Sequence, residues 1–170
     1  MDIAIRPFDE KDAAGVRQLF IAVNRLLAPP LMKEAFEAYI ARALTEEIDL
    51  IPAYYHERGG GFWVAVCDLP LVGMFGLERA GPGCFELRRM YVDPAARRHG
   101  VALAMLRFAE EESRRSGAYK IELSTSELQS AAIALYKQAR YRLVREVVTT
   151  DASHKTIGGG IRRFHFEKAL

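Results

Sequence analysis

Val16, Leu19, Phe20, Val23 and Leu27 recur at helical spacing behind an acidic run, Asp9-Glu10-Lys11-Asp12, that reads as an N-cap region. This pattern predicts a helix with one buried face, preceded by a short strand at Ile3–Arg6 and Pro7-Phe8. After Pro29-Pro30 a second helical stripe runs through Met32, Phe36, Tyr39, Ile40, Ala43 and Leu44, and its end is not defined by the pattern. Gly59-Gly60-Gly61 then leads into Phe62–Val66, a turn at Cys67-Asp68-Leu69-Pro70 and a return at Leu71–Leu77, which together predict a hairpin. A Gly81-Pro82-Gly83 turn opens a third antiparallel strand, Cys84–Val92, closed by Asp93-Pro94. Val101–Ser116 reads as a helix with Leu103 and Leu106 inward, Glu110–Arg114 and Glu111–Arg115 pairs outward, and Gly117 as its stop. A strand at Tyr119–Ser124 follows, then a helix carrying Ala132, Leu135, Tyr136 and Ala139, then strands near Tyr141–Thr149 and Ile161–Glu167. The predicted order is β-α-α-β-β-β-α-β-α-β-β: one α/β domain, residues 1–170, with a mixed sheet.

Composition agrees with a single core. The 170 residues are 50% apolar and 27% charged, with both signs interspersed, which argues against disorder, collagen and coiled coil. No apolar run approaches the roughly 18 residues that span a bilayer, and Met1-Asp2-Ile3-Ala4-Ile5-Arg6 lacks the basic and apolar regions of a signal peptide. A soluble, cytoplasmic protein without membrane contact is expected. Cys67 and Cys84 form no C-x-x-C pair and read as buried thiols; His56, His99, His154 and His165 form no H-E-x-x-H pattern, so no metal is expected. A net charge of +2 is too small to predict a nucleic-acid partner. From Glu34 to Arg58 six acids face two bases, either a solvated face or a mildly negative wall that attracts an amine.

The step from strand to helix at Met90-Tyr91-Val92-Asp93-Pro94-Ala95-Ala96-Arg97-Arg98-His99-Gly100-Val101-Ala102 is the strongest chemical signal. A tight turn into a helix start with Gly100 and the small Ala102 converges backbone N–H groups at a positive helix end, a place for a pyrophosphate, with Arg97, Arg98 and His99 adding charge. An ordinary connection with solvated arginines has the same spacing. Neither the Walker A loop nor G-x-G-x-x-G is present.

Arg97-x-x-Gly100-x-Ala102 resembles the Q/R-x-x-G-x-G/A signature of the GCN5-related N-acetyltransferase (GNAT) superfamily, with Glu86–Val92 as that family's fourth strand. Leu123-Ser124-Thr125-Ser126-Glu127-Leu128-Gln129 and Ala132-x-x-Leu135-Tyr136 resemble the family's second motif at the expected distance. Phe62–Ala65, Val72–Met74 and the Leu87–Met90 segment look most like the branch containing cysteine-conjugate N-acetyltransferases and their soluble bacterial relatives. Animal members of that branch carry membrane segments that this sequence lacks, so their substrate does not transfer.

The resemblance implies acetyl-CoA as cosubstrate and acetyl transfer to an amine. After the Asp93-Pro94 break, the strand around Met90 and Val92 should splay from Tyr119–Ser124, leaving backbone groups for the pantetheine amides. The pyrophosphate would rest on the N–H groups of residues 98 to 102, and a backbone N–H near Met90 or Tyr91 would polarise the thioester carbonyl. In the family a tyrosine at the position of Tyr136 protonates the departing sulfur, which suits a phenol of pKa about 10; its place on an apolar stripe equally suits a core residue. Glu86 matches a strand glutamate that deprotonates the amine in some members, or it forms a surface ion pair. Gln129 stands where relatives carry an asparagine on the pantetheine arm, while Ser126-x-x-Gln129 also fits a capping box. Arg140-Tyr141 replaces the usual Gly-Phe, so the turn after Ala139 is expected to depart from family geometry. Members often pair through their late strands, which implies a homodimer or a monomer.

Three functions follow: an acetyltransferase acting on a small-molecule amine, a non-catalytic acyl-CoA-binding regulatory module, and a protein- or peptide-directed acetyltransferase. The distribution of charge adds an expectation of two patches, one acidic at Glu34–Glu57 for an amine and one basic, from Arg88, Arg89, Arg97, Arg98 and His99, for the cofactor.

Overall fold

The computed structural model describes residues 2–68 and 70–170, so Met1 of the opening segment and Leu69 of the predicted turn lie outside the described residues. Strand β1 (Ala4–Pro7) leads through a 3-10 turn to α1 (Ala13–Leu27), followed by α2 (Lys33–Glu46) and α3 (Ile51–Glu57). Three strands follow, β2 (Gly61–Val66), β3 (Leu71–Gly81) and β4 (Cys84–Val92), and then α4 (Val101–Arg115), β5 (Lys120–Ser126), α5 (Ser130–Gln138), β6 (Arg142–Thr149) and β7 (Ile161–Ala169). The predicted order is corrected by one element, α3. Glu47 leaves the helical region at φ −141°, which ends α2; Pro52 then sits in the first turn of a seven-residue helix too short for a periodic signal.

All seven strands form one sheet in the order β1-β2-β3-β4-β5-β7-β6, antiparallel except for β4 beside β5. One face packs against α4 and α5 around Phe75, Leu87, Met105 and Ile121; the other packs against α1, α2 and α3 around Phe20, Ile40, Tyr55 and Met74. At the far edge β6 is exposed along nearly its whole length, including Val144 and Val148.

Three side chains face otherwise than their spacing predicts. Glu110 is buried, accepting from Tyr141 Oη at 3.0 Å and Lys168 Nζ at 2.8 Å, so Arg114 pairs with Glu111 instead. Leu103 is exposed on α4, and Cys67 is half-buried while Cys84 is buried. Among the described residues no helix is long and apolar enough to cross a membrane, and no group of three or more metal-ligating side chains is placed to hold an ion.

The feature that positions the site is a bulge in β4. Gly76 of β3 lies opposite Arg88 and Met74 opposite Tyr91, so two residues, Arg89 and Met90, face one on β3; Arg89 takes the left-handed conformation at φ +55°. Regular alternation sends successive side chains to opposite faces. The bulge lets neighbours Arg88 and Arg89 both reach Glu47, while Met90 and Val92 turn to the α4 and α5 face. It also separates β4 from β5. The two pair only through Cys84–Leu87 and Lys120–Leu123, after which β5 continues along β7 and β4 along β3. The splay therefore begins after Leu87, at the bulge, not at Asp93-Pro94.

Candidate active site

Two cavities open from this wedge. The larger, about 840 Å³, lies between Met90–Val92 of β4, the start of α4 and the face of α5 that carries Ala131, Ala132 and Leu135. Past Leu87 its β4 wall is paired with β3 but not with β5, which leaves main-chain donors and acceptors on that side for an extended ligand. At its end Arg98 (φ +66°) and Gly100 (φ +77°) are both left-handed and curl the chain into α4. The first backward helical bond is Ala104 N to Gly100 O at 3.0 Å, so the amides of Val101, Ala102 and Leu103 remain at the positive end of a fifteen-residue helix. Arg97, Arg98, Gly100, Val101 and Ala102 border this space; His99 is exposed and does not. An unpaired strand edge, an apolar wall and a cluster of amides beside two arginines fit a long ligand with an amide arm and an anionic group.

The smaller cavity, about 260 Å³, lies where the wedge narrows. Glu86 and Tyr136 both border it, and Met90, Tyr91 and Gln129 border both cavities. Tyr136 packs against Tyr141 and Phe166, with ring centres 5.8 and 6.0 Å away, and burial raises its phenol above the usual range. Tyr136 is thus both core and cavity wall. Burial also raises the Glu86 carboxyl, with Lys155 and Arg88 partly opposing; its one ion contact among the described residues is Arg88 Nε at 3.8 Å. Gln129 Oε1 accepts from Thr125 Oγ1 at 3.0 Å and Ser126 N at 3.3 Å, while Ser126 Oγ accepts from Leu128 N. One of the two capping-box bonds forms, Ser126 N to Gln129 Oε1, while the Ser126 hydroxyl takes Leu128 N in place of Gln129 N; these contacts brace the turn before α5, whose N-cap is Gln129 itself.

Beneath the small cavity lies a buried polar cluster that the sequence did not disclose. Glu47 has no solvent exposure and receives Arg88 Nη2 at 2.8 Å, Arg89 Nε at 2.9 Å and Tyr55 Oη at 2.8 Å. Burial opposes its ionisation, but Arg89 and Arg88 prevail and hold its pKa down at about 2. Arg88 also donates to Glu78 at 2.9 Å and to Tyr54 Oη at 2.7 Å; Arg89 donates to Tyr39 Oη and to the carbonyl of His154. Gly76 makes room for this arrangement, because a Cβ there would lie 2.5 Å from the Tyr55 ring. The two-patch expectation fails here. Arg88 and Arg89 are consumed by Glu47 and Glu78, while Glu37 and Asp49 of the acidic stretch pair on the surface with Arg25 and Arg17.

Comparison with known proteins decides the family. The model of the acetyltransferase (GNAT) family matches residues 28–140. The chain belongs to that family. Human N-acetyltransferase 8 is 33% identical over 118 residues, covering 66% of this chain and 52% of that protein. Zebrafish (Danio rerio) N-acetylaspartate synthetase is 34% identical over 111 residues, covering 64% and 39%. The chain thus spans about half, or less, of the length of these relatives. Among solved structures, the PaiA N-acetyltransferase of Thermoplasma acidophilum in complex with coenzyme A superposes with a TM-score of 0.78 at 19% identity, covering 100% of each chain. YncA of Salmonella typhimurium with acetyl-CoA gives 0.73 at 19% identity, covering 99% of this chain and 94% of that one. These neighbours establish the GNAT fold, including the mixed sheet.

Within the GNAT frame, most of the expected positions gather at the two cavities: Glu86 and Tyr136 at the small one, Val92, Arg97, Arg98, Gly100, Val101 and Ala102 at the large one, and Met90, Tyr91 and Gln129 at both. His99 stands apart. The turn after α5 corrects another expectation: Arg140 adopts φ +67°, the conformation that suits the glycine usual in GNAT proteins, so an arginine occupies a left-handed position. Glu47 and the polar role of Tyr39 were missed because they join β4 only through contacts 42 to 50 residues apart.

Proposed function

We propose that the chain is an acetyl-CoA-dependent N-acetyltransferase that transfers the acetyl group directly to a primary amine of a small molecule. The observation that carries this reading is the placement of Glu86 and Tyr136 on one small cavity, which shares Met90, Tyr91 and Gln129 with the long cleft. The cleft receives acetyl-CoA: the amides at the start of α4, with Arg97 and Arg98, hold the pyrophosphate, and the free edge of Met90–Val92 hydrogen-bonds the pantetheine arm. A β4 amide at Met90 or Tyr91 polarises the thioester carbonyl. Glu86 takes a proton from the acceptor ammonium, directly or through water, and the freed amine attacks the carbonyl carbon. As the new C–N bond forms and the C–S bond breaks, Tyr136 gives its proton to the thiolate and recovers one from the nitrogen through solvent. The products are an N-acetyl amide and CoA with a free thiol.

A small acceptor agrees with a cavity of about 260 Å³ roofed by Lys155, Thr156 and Ile157. The names N-acetyltransferase 8 and N-acetylaspartate synthetase, and neighbours crystallised with coenzyme A or acetyl-CoA, support the same reaction class. The test is release of free thiol from acetyl-CoA across amino acids, polyamines, antibiotics and peptides. Turnover of small amines, with Tyr136→Phe lowering kcat about 10²-fold at unchanged acetyl-CoA affinity, is expected. Tight binding without turnover of any amine would identify a non-catalytic acyl-CoA-binding module, and turnover of peptides alone a protein-directed enzyme.

A further inference from the structure

Arg163 sits on β7 opposite Ser126 and borders the small cavity with Glu86 and Tyr136. Its Nη2 donates to Ser124 Oγ at 3.0 Å, and among the described residues it has no ion-pair partner, unlike Arg88 and Arg89, which are both seated on Glu47. A guanidinium carries five N–H donors in a planar fork, so one bond to a hydroxyl leaves most of them for a ligand.

The charge around it is unbalanced. Glu47 and Glu78 offset Arg88 and Arg89, and Lys155, 3.3 Å from Glu78, adds a further cation at the cavity wall. Arg163 adds another. Against these, Glu86 is the one remaining carboxylate among the described wall residues. A simple cationic amine would enter a cavity already in positive excess. A zwitterion enters with no net charge and two ends for two groups: its ammonium faces Glu86 and its carboxylate faces Arg163. The two protein groups make no ion pair with each other, so both stay available.

Resting on the acetyltransferase reading above, we infer that the acceptor carries a carboxylate as well as its amine, and that Arg163 is the specificity-determining residue that binds that carboxylate. Glu86, Tyr136 and the cleft perform the transfer; Arg163 selects what is presented to them.

Matched pairs test this: α-, β- and γ-amino acids against the corresponding amino-acid amides, each assayed by thiol release from acetyl-CoA with the full chain. The acids are expected to exceed their amides in kcat/KM by about tenfold to a hundredfold, the range of a charge-assisted hydrogen-bonded pair. In Arg163→Gln the KM of the best acid rises about tenfold or more, kcat and the calorimetric Kd of acetyl-CoA hold, and Arg163→Lys recovers part of the loss. Equal turnover of acids and amides, or an unchanged KM in Arg163→Gln, overturns the inference and leaves the acetyltransferase reading standing. No thiol release from either member of any pair overturns both. Should Arg163→Gln fail to fold, the pair comparison on the unaltered protein still decides.

Discussion

The two cavities are built by opposite means. The cleft is made by contiguous chain: a strand edge, a left-handed turn and the first amides of one helix, within residues 90–103, with α5 as an apolar wall. The small cavity is made by side chains from α1, α2, β4, β5, α5, β7 and the loop before it, held over a buried ionic cluster. Main-chain groups present the same donors whatever the side chains are, so a backbone cleft tolerates sequence change and suits a ligand common to a whole family. A cavity of side chains changes with each substitution. On the proposed reading, the backbone-built cleft holds the cofactor, while the side-chain cavity carries Glu86 and Tyr136 together with the choice of acceptor.

The deepest cut through this contrast is Glu47→Ala. It strands Arg89 without a counter-charge and leaves Arg88 with Glu78 alone, and breaking such a buried pair costs about 3–5 kcal/mol. Urea denaturation should show a loss of that order, while acetyl-CoA binding, measured where the variant remains folded, should hardly change because the cleft is backbone-built. A loss below about 1 kcal/mol, the range of an exposed pair, would show that the cluster does not support the cavity. The pH dependence has a definite sign. With the folded carboxyl at about 2 against an ordinary 4.5, Glu47 contributes stability that is complete above about 4.5 and lost as pH falls toward about 2. The acid-denaturation limb should therefore flatten in the variant.

Gly100→Glu attacks the other region. A side chain there takes φ +77°, costing about 1–2 kcal/mol, and brings a negative charge to the amides proposed to hold the pyrophosphate. Calorimetry should show acetyl-CoA binding weakened about tenfold or more, with denaturation only slightly advanced. Gly100→Asn, neutral and tolerant of the left-handed region, should retain most of the affinity. An unchanged Kd in Gly100→Glu would remove the pyrophosphate from this turn.

The same division explains what the sequence disclosed. The succession of strands along the chain, the α4 and α5 helices and the cleft residues were legible because local periodicity and short spacings encode them: Arg97, Gly100 and Ala102 lie within six positions of one another. The Glu47 cluster was not legible. A glutamate within an acidic run reads as surface, and two consecutive arginines beside Arg97 and Arg98 read as part of a basic patch for the cofactor, whereas the bulge at Arg89 brings both to one buried carboxylate. Arg163 carried no local signal either; its place depends on the β5–β7 register that sets it opposite Ser126.

Glu86→Gln separates the two regions by a pH profile. The raised carboxyl accepts a proton only where it is ionised, so kcat/KM should climb through a value above the ordinary carboxylate range. In the glutamine variant that limb should disappear and the rate follow deprotonation of the amine itself, with the largest deficit, about 10²-fold, well below the amine's pKa. Its linkage sign is opposite to that of Glu47. A carboxyl whose folded pKa is raised opposes folding above its ordinary pKa, so Glu86→Gln should be slightly more stable than the parent at neutral pH and equal to it in acid. A pH–rate profile that does not move would remove Glu86 from proton transfer.

Arg140→Gly is the mildest probe, and it acts on a helix that the two cavities share. α5 turns Tyr136 to the small cavity and Leu135 to the cleft, and it ends in a turn where Arg140 holds φ +67°. An L side chain there costs about 1–2 kcal/mol in the folded state, a cost that glycine removes. Glycine also widens the unfolded ensemble, which returns part of the gain, so a net stabilisation of about 0.5–1 kcal/mol is expected in urea titration. Tyr141 N bonds Tyr136 O at 2.9 Å and Arg140 N bonds Lys137 O at 3.1 Å, and both bonds use main-chain atoms that glycine keeps. The turn should keep its shape, and acetyl-CoA affinity and acceptor KM should stay at parental values. A change in one and not the other would show that the arginine biases α5 toward one cavity.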